Sequence, residues 1–427
     1  MTADDRGVAR ASHDLRRRGV LIVEQGGRGG VADYTGLLAA GLSARGVPVT
    51  IATADDHLYR PSSGVRVETV FGYVRGHSPA ARLVRRAGLG RFANGLWFLA
   101  SLPSLRVLAR RHAVTHIQGW EARPLGLVAM LLLRASGVPL VYTAHNTFER
   151  APGLLDSPQL MPALSRQTIV HTEADRPRVS RVPVVIAHGH YGAVADRAAS
   201  VDPAQARTEL GLPAEAPVVL MFGVLRPDKG LADILEAAAN APEWHVLIAG
   251  EDHGGLDGVA GRIAAPPLEE RVTVREGFQP IERVGRLFAA ADLVALPYRQ
   301  ASQSGVLHLA YGFGRPVVAY PVGGLTEAVI AGVTGWICRD ASPQALAEVL
   351  REAAELGRAE LRRRGEQGRQ WAEQTFDWDR IAQQTEEVYV RALLPGRDLE
   401  STLTTADGTA GAGGGPSPRA EAPPPGR

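Results

Sequence analysis

The residues best suited to chemistry sit where short apolar runs give way to loops. Arg226-Pro227-Asp228-Lys229-Gly230 follows the run 218–222 and precedes a stretch with helical periodicity. Two cations in a loop before a helix suit a diphosphate, arginine as a planar fork and lysine as a point charge. Such a loop alone also reads as a solvated charged turn. Its weight comes from two further loops in the same half of the chain. These are Ser302-Gln303-Ser304-Gly305, ahead of the apolar stretch 306–313, and Gly323-Gly324-Leu325-Thr326-Glu327. Helix starts carry free N–H groups and partial positive charge, so each offers a place for a phosphate. The serines suit N-cap positions, and Gln303, with both a donor and an acceptor, suits sugar hydroxyls.

The first half holds a glycine loop, Glu24-Gln25-Gly26-Gly27-Arg28-Gly29-Gly30. Gly27, Gly29 and Ala32 fit the dinucleotide fingerprint G-x-G-x-x-G/A. The acidic residue that should follow about twenty positions on is missing, because Asp55 and Asp56 come later. A tight strand-to-helix turn accounts for the same glycines. His145 and Asn146 end the run 140–143, and a polar pair at a strand's carboxyl end points into the ligand crevice of a parallel sheet. His188 and His190 follow the run 182–187. An H-x-H pair without nearby carboxylates or cysteines is a poor metal site, and His190 reads as a structural histidine. Asp377-Trp378-Asp379 has a metal-like carboxylate spacing, yet it opens a helix, where aspartate caps and complements the dipole. No metal and no cofactor are expected.

A repeating grammar positions these groups. β-Branched runs at 20–24, 47–52, 65–71, 115–118, 140–143, 168–171 and 182–187 alternate with helical stretches such as 34–45 and 125–136. The grammar restarts with runs at 218–222, 245–249, 272–275, 293–296 and 316–319 and helices at 231–239, 280–291, 306–313 and 343–356. Nearly continuous apolar strands alternating with helices mean parallel sheets covered on both faces. The expectation is an α/β protein of two doubly wound, Rossmann-like domains facing across a cleft, 19–195 and 196–375. A polar basic arm, 1–18, reads as flexible. A last helix, 376–394, follows the second domain. Residues 395–427, rich in Gly, Pro, Ser, Thr and Ala, bury too little to offset their ordering entropy and read as a disordered tail.

In order and spacing these pieces resemble the GT-B glycosyltransferases, in particular the large retaining family numbered four. The likeness covers roughly residues 19–392. It rests on the loop 26–34, Thr143-Ala144-His145-Asn146, Arg226-Pro227-Asp228-Lys229-Gly230, Ala249-Gly250-Glu251, Gly277-Phe278, the stretch 290–298, Gly314-Arg315-Pro316-Val317-Val318-Ala319 and Gly323-Gly324-Leu325. The final helix, opened by Phe376-Asp377-Trp378, looks like the one that crosses back onto the N-terminal domain in this fold. The resemblance implies that Arg226 and Lys229 hold the donor diphosphate, that Gly29 and Gly30 approach it from the acceptor domain, and that His145 lines the sugar site. Gly250 and Phe278 would lie near the nucleotide base, and metal would not be needed. Two departures stand out: Val224 follows Gly223 where many relatives carry arginine, and the family's two glutamates spaced eight apart fall on Ala301 and Leu309.

The reading is a metal-independent transferase moving sugar from a nucleoside-diphosphate sugar to a glycan, lipid-linked or small-molecule acceptor in glycan biosynthesis. Gln303, Ser304, Gly305 and Glu327 join the expected substrate contacts. The lost glutamates leave open a non-catalytic binding protein, and the glycine loop leaves open a nicotinamide-dependent oxidoreductase. A net charge of +2 gives no reason to expect nucleic acid. The lone Cys338, in an apolar run, reads as core. No apolar leader and no run approaching a membrane span are visible, so a cytoplasmic place is expected. Seven arginines between Arg82 and Arg111 flank Leu96-Trp97-Phe98-Leu99, which suits peripheral contact with the anionic inner face of a membrane. An ordinary helix that buries Trp97 and Phe98 in the domain core is the favoured reading of the same residues.

Overall fold

The computed structural model describes residues 3–60, 62–73, 90–119, 123–147, 160–180, 182–198 and 201–394. The tail 395–427 and the basic stretch 82–86 lie outside the described residues. Seven strands form the first sheet: β1 (Val20–Val23), β2 (Val49–Ala54), β3 (Val65–Phe71), β4 (Val114–Gln118), β5 (Leu140–Thr143), β6 (Gln167–Val170) and β7 (Val184–Val185). Their order is β3-β2-β1-β4-β5-β6-β7, every pairing parallel. The second sheet contains β8 (Val218–Phe222), β9 (His245–Gly250), β10 (Val272–Glu276), β11 (Leu293–Leu296), β12 (Val317–Ala319) and β13 (Gly335–Ile337). It runs β10-β9-β8-β11-β12-β13, again parallel.

Burial explains the apolar runs. Every residue of β1, β2, β9 and β11 is buried, while the edge strand β3 alternates toward solvent. Each buried Val, Leu or Ile contributes roughly 1.5–3 kcal/mol against its exposed state. In each sheet the strand order reverses beside the first strand, between β1 and β4 and between β8 and β11. In such sheets ligand binds outside the carboxyl ends at that reversal.

The expected flexible arm is a helix, α1 (Ala3–Arg18), which corrects the sequence reading. Leu15 is fully buried and Ala11 nearly so. Gly19 ends the helix at φ 70° and passes so close to Pro48 that a Cβ would lie 2.3 Å from its carbonyl oxygen. After β1 comes α2 (Gly30–Ala44), after β3 comes α3 (Gly90–Arg111), and after β4 comes α4 (Arg123–Arg134). Residues Phe92–Arg111 of α3 are long and apolar enough to cross a membrane, which sequence inspection missed. Its inner face, Phe98, Leu102, Leu105 and Ala109, packs in the core of the first domain.

The second domain adds α5 (Pro203–Leu210), α6 (Leu231–Ala239), α7 (Ile281–Ala290) and α8 (Gly305–Gly312). The helix expected at 343–356 is longer. As α9 (Pro343–Thr375) it continues through a kink at Gly357, where φ is 76° and ψ 168°. Asp377 then caps α10 (Trp378–Leu393), accepting from the Arg380 amide at 3.0 Å. Ile381, Val388 and Tyr389 of α10 join β1, β5 and α2 in one core, so the last helix completes the first domain.

Candidate active site

The cation loop leaves β8 at the strand-order reversal of the second sheet. Gly250, at φ 151°, lies against Gly223, where a Cβ would fall 1.7 Å from the carbonyl oxygen. Glycine is therefore demanded by the meeting of two strand ends. Arg226 Nε and Nη2 each donate to Asp228 at 2.8 Å. Hydrogen bonding to Asp228 raises the Arg226 guanidinium further above its ordinary value. Lys229 Nζ stands 3.6 Å from the centre of the Tyr298 ring, a cation–π contact. Tyr298 is buried, and burial pushes its hydroxyl up to about 12, so it stays neutral beside the lysine. Asp228 and Tyr298 were missed as partners: one looked like a turn residue and the other like core.

The start of α8 divides the work of its serines. Ser304 is the N-cap, accepting from the Leu307 amide at 3.3 Å. Ser302 faces the first domain, accepting from the Thr147 amide at 2.9 Å and sharing a 2.9 Å contact with the Thr147 hydroxyl. Thr147 and Thr172 both donate to buried Asp175, at 2.6 and 2.8 Å. Gln303, half-buried between the serines, has its Oε1 buried and without a hydrogen-bond partner among the described residues. Ala301 and Leu309 are buried, so the positions of the family's two glutamates are apolar wall.

Glu327, expected as a substrate contact, is engaged with the first domain in this structure. Its two carboxylate oxygens accept from the Glu173 and Ala174 amides at 3.2 and 3.1 Å. Those amides open a 3-10 turn on the first domain, where free N–H groups attract a carboxylate. Glu327 is a clasp between domains in this structure.

The glycine loop is held by its own first residue. Glu24 accepts from the Gly26 and Gly27 amides, each at 2.7 Å, and from the Tyr59 hydroxyl at 2.9 Å. Burial raises its carboxyl above the ordinary value. These two amides are thus satisfied internally, and Gly27 is fixed by His57, whose Cβ would lie 2.8 Å from an added Cβ. The fingerprint arises from a folded turn. Gly29, at φ 81°, has open space where a side chain would stand, and the Gly30 carbonyl accepts from Tyr191 at 2.7 Å. Arg28 pairs with Asp56 at 2.6 Å and lies 5.6 Å from the centre of the Phe278 ring, across the cleft.

His145 stands at the end of β5 with both ring nitrogens engaged. Nε2 lies 2.7 Å from the Gln118 carboxamide and Nδ1 3.2 Å from His171 Nε2. Burial, followed by the neighbouring His171 and His116, holds it well below the usual histidine range. It is a neutral, braced wall of the crevice, and half-buried Asn146 follows it. Tyr34 packs at the centre of this group, 5.0 Å from the His145 and His188 rings. His188 stacks at 4.7 Å on His308 of α8, joining the domains. Among the described residues no group of three or more His, Cys, Asp or Glu could hold a metal ion. Cys338 is buried, its thiol pushed up to about 12 by burial, as suits a core position.

Two doubly wound domains, with loops meeting at both strand-order reversals, define the GT-B fold. Residues 28–199 match the family model Glycosyltransferase Family 4, and residues 203–371 match Glycosyl transferases group 1. The chain belongs to this glycosyltransferase family, and it is an enzyme of the transferase class. It is 30% identical over 382 residues to a D-inositol 3-phosphate glycosyltransferase of Segniliparus rotundus, covering 79% of this chain and 81% of the relative. A protein of the same name from Mycolicibacterium paratuberculosis is 31% identical over 405 residues, covering 86% and 87%. Among solved structures, Anabaena HepE in complex with UDP and glucose aligns with a TM-score of 0.66 at 21% identity, over 87% of this chain and 99% of that one. Sucrose-phosphate synthase from Thermosynechococcus elongatus gives 0.66 at 20%, over 87% and 98%. The oxidoreductase reading has no support in this family.

Proposed function

We propose that the enzyme moves a glycosyl unit from a nucleoside-diphosphate sugar to an acceptor bound against the first domain, with retention of anomeric configuration and without metal. The observation that carries this is the cation loop at the β8/β11 reversal, beside the start of α8. As the glycosyl–phosphate bond breaks, negative charge grows on the leaving diphosphate. Lys229, Arg226 and the first turn of α8 are fixed in place to receive it, and preorganised charge of this kind is a large term in catalysis. Gln303 carries an unpartnered carboxamide oxygen that a rotation of the side chain turns to a sugar hydroxyl, where relatives carry carboxylates. Phe278, 42% exposed across from Arg28, offers a face to the base. The family relatives named for inositol 3-phosphate favour a small polyhydroxylated acceptor.

A thermal-shift panel of nucleoside diphosphates tests the donor, since ligand at 100 times its dissociation constant adds about 2.7 kcal/mol. Transfer assays with the stabilising nucleotide's sugars, followed by NMR of the product anomer, test the reaction. Stabilisation by no nucleotide, or an inverted product, defeats the reading.

One observation favours a lipid-linked acceptor and a peripheral place on the inner face of a membrane. The outer face of α3 exposes Phe92, Leu96, Leu99 and Val107, from 40% to 79%. The helix contains no acidic residue and ends in Arg110 and Arg111. An apolar stripe with a basic end fits an anionic lipid surface. Salt-sensitive co-sedimentation with phosphatidylglycerol vesicles, lost in Phe92→Ser/Leu96→Ser, checks it; no binding at low salt refutes it.

A further inference from the structure

A second basic site lies at the amino ends of the second sheet's strands, opposite the donor loops. A cavity of about 460 Å³ opens where β11 and β12 begin, at their amino ends, between α5, α7 and α9. Arg207, Arg315, Arg358 and Arg362 line it, against the carboxylates of Asp202 and Asp292.

Both carboxylates are committed. Asp292 Oδ2 accepts from Arg207 at 2.6 Å and from the Val218 amide at 2.8 Å, and Oδ1 lies 3.5 Å from Arg358 Nε. Asp202 caps α5, accepting from the Ala204 and Gln205 amides, both at 3.0 Å. The four guanidinium charges therefore exceed the two carboxylates by two. Arg207 is buried and spent on backbone carbonyls. Arg315 is different: its Nη2 reaches the Ala289 carbonyl at 3.3 Å, while its Nε is buried without a hydrogen-bond partner among the described residues. Burial holds the Arg315 guanidinium below its ordinary value; Asp292 opposes this, and Arg362 and Arg207 add to it. Arg362 stands exposed at the rim. An arginine cluster that brings an excess of two positive charges to a cavity is short of an anion.

We propose that this cavity binds a small phosphorylated anion, at a site separate from the donor cleft. A phosphate dianion matches the excess charge and gives several acceptor oxygens to planar guanidinium forks. The volume falls in the range of small-molecule pockets and leaves room for a sugar-sized body on the phosphate. Free phosphate and a phosphomonoester share this chemistry.

Isothermal titration of the full chain with inorganic phosphate and with fructose 6-phosphate tests the site. Lys229→Ala removes the donor-loop charge and should leave this binding within twofold of wild type. Arg315→Gln should weaken it at least tenfold. Arg362→Glu, on an exposed rim where folding is not at stake, should do the same. Tighter binding of the sugar phosphate assigns a phosphomonoester, and equal binding assigns free phosphate; either supports the site. Absence of binding at millimolar phosphate, loss of binding in Lys229→Ala alone, or wild-type affinity in Arg362→Glu overturns it.

Discussion

Asp228 makes the cation loop a testable charge balance. With Arg226 paired to Asp228, the loop presents a net charge of about one, centred on Lys229. Lys229→Ala removes that charge, and kcat/KM with a confirmed donor should fall by roughly 10²–10³, the scale of losing one preorganised electrostatic donor. Arg226→Ala acts by another route, because it leaves the Asp228 carboxylate unpaired beside the incoming phosphate. Two like charges about 6 Å apart at an effective dielectric of about 20 repel by ~2.8 kcal/mol, roughly a hundredfold in rate. A second substitution, Asp228→Asn, removes that repulsion. Arg226→Ala/Asp228→Asn should therefore recover at least tenfold over Arg226→Ala, although it has lost two side-chain partners. The assay is steady-state kcat/KM for all four proteins at one ionic strength. If the double variant is no better than Arg226→Ala, the masking argument is wrong. Wild-type turnover in both Arg226→Ala and Lys229→Ala removes the loop from the donor site.

Gln303→Ala should raise the donor KM or lower kcat while leaving the bare nucleoside diphosphate's affinity within a few-fold; unchanged turnover makes the side chain a spectator. Asp175→Asn weakens the acceptor for Thr147 and Thr172 and should lower stability by about 1–3 kcal/mol in urea titration, with no change meaning that the seam is held elsewhere. Burial holds His116 and His308 at about 3, against ~6.5 in an unfolded chain. The unfolded state binds protons first, so stability is full above pH ~6.5 and falls toward pH 3, by up to ~1.4 kcal/mol per pH unit per group. His308→Phe should flatten that slope between pH 5 and 6 by about one proton, and an equally steep variant contradicts the buried, neutral assignment.

The sheets were legible because parallel strands buried on both faces are written as continuous apolar runs, as in Val20–Val23 and Val218–Phe222. Helix α1 was not, because its basic surface outweighs the two small anchors, Ala11 and Leu15, in any local average. The continuation of α9 past Gly357 was likewise hidden, since glycine at a helix end and glycine at a kink look alike. In the site, the cation loop and the start of α8 could be found from residue types alone. Their partners could not: Thr147 meets Ser302 only across the two domains, and Thr147 and the Asp175 that braces it are ordinary residues locally. Glu327 shows a further limit, since a carboxylate near a glycine turn reads as a sugar contact and gives no local sign of its bonds to the Glu173 and Ala174 amides.

The return of α10 to the first domain has a consequence for biosynthesis. Tyr389 supplies the hydroxyl that His116 of β4 meets at 2.7 Å, and Val388 and Ile381 fill the core beneath α2. On the ribosome, β7 emerges roughly 190 residues before this helix. At about 5–20 residues per second the nascent first domain waits roughly 10–40 seconds with its apolar groove unfilled. Vectorial folding of the two lobes, one finished before the next begins, is closed to this chain, and the groove is a natural place for a chaperone until synthesis reaches the closing helix.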